Sequence, residues 1–161
     1  FTPDGDYYVT EEWSNDHSKS ILHEGDVVMI QTGSIGQVGY VTKELEGANC
    51  HALIILRFSH LFGVGKYLLY FLMSEYSRHT YRLIKTGEIL EHLNSTKVKY
   101  MKISLPPIVE QRQIGEYLDE QTSVFDSKIT TEEKRIELLK EYRQSLISEV
   151  VTGKVKVTRD E

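Results

Sequence analysis

The sequence predicts an α+β fold, a small mixed sheet with flanking helices over about 1–105, followed by a long helix able to form a coiled coil over 106–161. Three observations carry the prediction. Short β-rich runs punctuated by glycine occupy residues 27–56. The apolar period becomes helical from Gly65. Beyond Pro106-Pro107, residues 108–150 contain no proline and one glycine, Gly115, and alternate apolar steps of four and three.

Residues 1–24 are polar and irregular, with Pro3, Gly5 and the stretch Ser14–Ser18, and read as loop with one short strand at Tyr7–Thr10. Val27-Val28-Met29-Ile30 and Val38-Gly39-Tyr40-Val41 flank a glycine-punctuated connection, Gln31–Gln37, which reads as a hairpin. Ala52–Leu56 is apolar throughout, so a strand buried on both faces is expected. Leu68, Leu69, Phe71, Leu72, Tyr76 and Tyr81 share one helical face, with Gly87 as the stop. Val98–Ser104 reads as another short strand. Proline disfavours helix in the residue before it and is accepted in a first turn, so Pro106-Pro107 marks the boundary between two domains. Glu110 lies where a helix dipole favours an acid, and Gly153 ends the helix. Its seam is Phe125, Ile129, Ile136, Leu139, Leu146 and Val150, with polar breaks at Glu132 and Arg143.

Composition narrows the classes. Hydrophobic content of 40% fits a folded chain and argues against disorder. No apolar run reaches the roughly 18 residues of a membrane span, and no signal-peptide pattern opens the chain. Phe1 in place of Met points to a trimmed start or a missing leader. With Cys50 alone no internal disulfide can form, which fits a reducing cytoplasm. The net charge of −5 hides an uneven distribution. Residues 1–56 carry two basic and nine acidic side chains, and 106–161 carry nine and twelve. Residues 57–105 carry eight basic residues against three acidic, a balance of +5, so only this third can present a positive field.

The Gly33, Gly36, Gly39 series does not read as a phosphate loop, because strand follows strand where a helix N-terminus is required. It reads as a hairpin turn in which Thr32, Ser34 and Gln37 offer hydrogen-bonding side chains. Cys50-His51 has no second cysteine and no metal-site spacing among the histidines, and reads as a small buried thiol at a strand's start. Ser104–Ile108 lacks the polar residue before, and the aromatic after, the two prolines that an amino-methyltransferase loop needs. Tyr76–Lys85 interleaves basic and aromatic groups able to meet phosphates, sugars and base edges, or to form a solvated helix face. His92–Lys97 is equally rich in donors and equally open.

Leu105-Pro106-Pro107-Ile108-Val109-Glu110-Gln111-Arg112-Gln113-Ile114, then Tyr117-Leu118-Asp119, resembles the start of the conserved helical region of type I restriction-modification specificity subunits. Leu138–Ile147 and Val151-Thr152-Gly153-Lys154 resemble its end. Upstream, Gly25-Asp26-Val27-Val28 with Gly33-Ser34-Ile35-Gly36, and Glu91-His92-Leu93-Asn94 before Leu105-Pro106-Pro107, resemble that family's target-recognition domain. Coverage runs from about Gly25 to Lys154. Full specificity subunits carry two recognition domains and two such helices. This chain carries one of each, as expected of a half-length subunit or of the C-terminal half of a longer one.

The resemblance implies a non-catalytic subunit that reads one half of a split double-stranded DNA target. It also implies docking to a methyltransferase subunit and, through it, to a restriction subunit, with the methyl donor on the partner and no cofactor or metal here. The candidate DNA-contacting residues are then Thr32, Ser34, Gln37, Arg78, His79, Arg82, Lys85, His92, Asn94 and Lys97. The helical seam is expected to join two copies, giving an inverted-repeat target with an unread spacer. A coiled-coil scaffold without DNA binding and a methyltransferase fragment are the rival readings.

Overall fold

The computed structural model describes residues 8–59, 61–85 and 92–157. Two compact units divide the chain, Phe1–Tyr117 and Leu118–Glu161. The elements in order are α1 (Glu11–Asp16), β1 (Val27–Ile30), β2 (Val38–Tyr40), β3 (Leu53–Leu56), α2 (Gly65–Met73), α3 (Glu75–Ile84), α4 (Ser95–Lys99) and α5 (Ile108–Val151), with short 3-10 turns at Ser18–Ser20 and Lys43–Leu45. The α+β class stands, but the three-stranded sheet is antiparallel throughout, not mixed.

The strand order β2-β1-β3 puts β1 in the centre, with Val28 opposite Gly39 on one side and Ile55 on the other. Apolar clusters cover both faces. Val27 and Met29 face one with Ile54, Leu68, Leu72, Tyr81, Leu93 and Val98, while Val28 faces another with Leu22 and Val41. Burial on both sides explains why β1 is an unbroken apolar run rather than an alternating one. Burial on both faces is the expectation for β3, and there Ile54 is buried while Leu56 packs half-buried on the first cluster and Leu53 and Ile55 half-buried on the second. Cys50 is half-buried in the second cluster, three residues before β3, and burial pushes its thiol above the usual range.

Three sequence-based elements are corrected. Residues 8–10 form no strand; Thr10 instead caps α1, its side chain accepting from the Trp13 amide, with Glu11 and Glu12 in the first turn. The single helix expected from Gly65 is two. Ser74 ends α2 and caps α3, its Oγ accepting from the Ser77 amide. Its proposed stop, Gly87, and Tyr7 of the expected strand lie outside the described residues. The strand expected at Val98–Ser104 is the end of α4 and a tail outside any helix or strand. Asn94 caps α4 through the Thr96 amide, and the Ser104 carbonyl accepts from the Tyr67 hydroxyl (2.6 Å) instead of a strand partner.

α5 runs for 44 residues, about 66 Å at 1.5 Å per residue, as the uninterrupted pattern requires. It ends in a Schellman cap. Gly153 has a φ of +75°, its amide donates to the Val150 carbonyl (3.1 Å), and Lys154 donates to Glu149 (2.9 Å). Within the first unit, α5 buries Gln111 and Gly115. Among the described residues no helix is long and apolar enough to cross a membrane.

Candidate nucleic-acid interface

The β1–β2 connection is shaped by two glycines. Gly33 and Gly36 have φ of +81° and +79°, a backbone that L-residues rarely adopt. Gly36 also lies so close to the Tyr81 ring that an added Cβ would stand 2.5 Å from Cδ2. The loop therefore packs directly on α3. Tyr81 is buried, its hydroxyl donates to the Leu72 carbonyl (3.0 Å), and burial pushes its phenol far above the usual range, so it remains a donor.

This packing opens a cleft of about 630 Å³ between the loop and α3. Gln37 contributes from the loop, Arg78 and Arg82 from α3 and Lys85 from its C-cap, with Ile35, Met73 and Tyr81 as its apolar lining. Residues forty or more positions apart are thus gathered around one concave, basic surface. Arg78 is held by Glu75 one turn earlier (3.1 Å), an exposed pair worth little in stability.

The remaining candidates fall in different places. Thr32 and Ser34 are exposed at the loop's start. Thr32 forms an isolated antiparallel bridge with His92, their side chains 3.1 Å apart, and the Leu93 amide donates to the Gln31 carbonyl (2.8 Å). The third candidate stretch is therefore tied to the loop by backbone. His79 is exposed on α3 but does not line the cleft. Asn94 is engaged as the α4 cap. Lys97 lines a different concavity, with Tyr76, Thr80, Tyr100 and Lys102. Tyr100 and Lys102 escaped the sequence reading because they lay in what looked like a strand.

Two polar arrangements hold the scaffold elsewhere in the first unit. Asp26 is buried and accepts from Arg57 Nε (2.7 Å), Arg57 Nη2 (2.6 Å) and the His23 amide (2.8 Å). Burial alone would raise its carboxyl, but the bonds from Arg57 and the His23 amide hold it below the usual carboxylate range. Gln111 is 1% exposed and clamps the loop before α2. Its Oε1 accepts from the Val64 amide (3.0 Å), and its Nε2 donates to the carbonyls of Phe62 (3.1 Å) and Pro106 (2.9 Å). The signal for Gln111 was its place in the Pro-Pro-Ile-Val-Glu-Gln-Arg block, although nothing in the sequence assigned it a partner.

The seam residues stand on α5. Phe125, Ile129, Ile136, Leu139 and Leu146 are 42–59% exposed, and Val150 is half-buried.

The family described as type I restriction modification DNA specificity domain matches residues 2–141. A putative type I restriction enzyme MjaX specificity subunit of Methanocaldococcus jannaschii is 29% identical, over 90% of this chain and 34% of its own length. The type I restriction enzyme EcoKI specificity subunit of Escherichia coli K12 is 27% identical, over 86% of this chain and 30% of its own. In fold, the chain is similar to the HsdS subunit from Thermoanaerobacter tengcongensis, with a TM-score of 0.59, 18% identity, and coverage of 88% of this chain and 36% of that one. The chain spans about a third of the length of these relatives.

Proposed function

The chain belongs to the type I restriction modification DNA specificity domain family, and from that premise we propose that it reads one half of a split duplex target through the cleft between the β1–β2 loop and α3. The observation that carries this reading is the convergence of Gln37, Arg78, Arg82 and Lys85 on one concave surface. Guanidinium and ammonium groups meet phosphates and guanine edges, and a carboxamide pairs with adenine in two hydrogen bonds. Thr32, Ser34 and His92 extend the donor surface at the loop's other end. The role is recognition rather than reaction, with methyl transfer and its donor belonging to a methyltransferase subunit docked on this chain. A restriction subunit would join through that partner, in the cytoplasm.

The exposed seam of α5 supports pairing with an equivalent helix, from a second copy or from a longer chain. Two copies related by a two-fold axis would set these helices antiparallel and make the target an inverted repeat.

Selection from random duplexes tests the reading. The wild-type chain enriches a defined half-site, with affinity falling steeply with salt at a log–log slope of about −0.9 per phosphate neutralised. Replacing Arg78, Arg82 and Lys85 together by Glu abolishes duplex binding without unfolding the chain. Unchanged binding by the folded triple variant would move the site elsewhere.

A further inference from the structure

α3 has three accessible sides, and they differ in chemistry. At about 100° per residue, Arg78 and Arg82, with the C-cap Lys85 beyond them, centre roughly 180° around the helix from Tyr76, Thr80 and Ile84. The first group lines the cleft shared with the β1–β2 loop, and the second lines a concavity completed by Lys97, Tyr100 and Lys102. Ser77 and Tyr81 point inward and are buried. Between the two concavities, opposite the buried side, lie His79 and Leu83, both exposed, Leu83 by 71%. α3 is thus a ridge with a basic trough on each flank.

The far trough carries no charge of the opposite sign. Residues 92–109 include Lys97, Lys99 and Lys102 and no acid. Lys97 and Lys102 are exposed, and among the described residues neither is paired with a carboxylate. Tyr76 and Tyr100 stand 57% and 76% exposed beside them, hydroxyls that can donate to phosphate oxygens. Glu75 is the one acid on the ridge. It sits in the first turn and is paired with Arg78, which confines the unobstructed crest to His79–Leu83.

An α-helix with its side chains is about 10–12 Å across, and the major groove of B-DNA is about 12 Å wide, with a phosphate backbone along each rim. We propose that α3 seats as a ridge in the major groove, the crest residues His79 and Leu83 facing base edges and the two troughs each receiving one phosphate backbone. Arg78 and Arg82 hold one strand, and Lys97 and Lys102 hold the other. His79 supplies a ring nitrogen to a base edge, and Leu83 supplies an apolar surface of the kind that meets a thymine methyl. This rests on the proposed recognition role and narrows it: the arginines of the cleft anchor the backbone, Gln37 keeps its base edge, and the crest adds His79 and Leu83 as readers.

The test compares the full 161-residue chain with two variants on its selected half-site duplex and on an unrelated duplex, across a salt series. Lys97→Gln with Lys102→Gln weakens both duplexes alike and makes the log–log salt slope shallower by about 1.8, two phosphates at 0.9 each. His79→Ala with Leu83→Ala leaves the slope unchanged and lowers the preference for the selected duplex by on the order of tenfold. All four positions are on the surface, and thermal unfolding verifies that each variant is folded. An unchanged slope in the first variant, or an unchanged preference in the second, overturns the ridge. If that occurs while reversing Arg78, Arg82 and Lys85 still abolishes binding, the recognition role itself survives. A wild-type chain with no selective duplex binding removes both.

Discussion

The first unit closes a core of its own, with Met29 and Leu93 fully buried and Leu72 at 2% exposure, although Leu61, Phe62 and Leu83 stay on its surface. Its buried polar side chains, Asp26, Ser77 and Gln111, all have hydrogen-bond partners. From Leu118 onward the pattern reverses, and Phe125, Ile129, Ile136 and Leu139 are each more than half exposed along one stripe of α5. The same helix buries Gln111 and Gly115 in its first turns. The contrast shows that the backbone hydrogen bonds of α5 are complete within the helix while its apolar stripe is not satisfied there. One unit closes its own core; the other holds a surface prepared for contact.

The largest expected effect would break that contrast at the helix. Covering six seam side chains contributes roughly 1.5–3 kcal/mol each, on the order of 10 kcal/mol before the entropy of association is charged. We therefore expect a dimeric wild-type chain at tens of micromolar and a monomeric Ile136→Asp, Leu139→Asp variant, by sedimentation. A wild-type chain that sediments as a monomer at those concentrations would sink the two-copy assembly.

Two smaller effects sharpen the other side. Gln111→Leu removes three hydrogen bonds and leaves the Val64 amide and two carbonyls without their partner, costing about 3 kcal/mol in urea unfolding. Arg57→Ala strips the buried Asp26 carboxylate of two charge-assisted bonds, a loss of about 2 kcal/mol at pH 7 because Arg57 is itself half exposed. The sign with pH follows from the lowered carboxyl. Its stabilisation is fully present above the unfolded value of about 3.9 and is lost as pH falls through the lower folded value. In Asp26→Asn, the fall in stability below pH 4 should be shallower than in the wild type, and an identical pH profile would remove the carboxylate from this role.

The strands were legible because β1 and β2 combine β-branched residues with a glycine-bearing turn, and α5 because its heptad pattern runs without proline. The misread elements each turned on a cap. Thr10 before Glu11-Glu12 and Ser74 before Glu75 are N-terminal signals present in the sequence, and giving them weight would have recovered α1 and the break between α2 and α3. Val98-Lys99-Tyr100-Met101-Lys102-Ile103 carries β-branched and aromatic residues like a strand, but Asn94 begins a turn of helix and the tail finds the Tyr67 hydroxyl. Of the candidate interface, the residue types were readable and their grouping was not. That Gln37 shares a cleft with Arg78 and Arg82 across the close Gly36–Tyr81 approach, while Lys97 lines a different concavity of α3, is a tertiary fact with no local signature.

The Thr32–His92 bridge joins positions sixty residues apart, whereas Met29 and Val38 in the hairpin are nine apart. Closing the longer loop costs about 2 kcal/mol more chain entropy, and contacts of such sequence separation form slowly. The hairpin is therefore the early event, and the joining of the loop to the stretch that leads into α4 is the late one. A chain emerging from synthesis carries its strands before it carries a finished basic surface. Under the proposed role, duplex binding would then track completed folding.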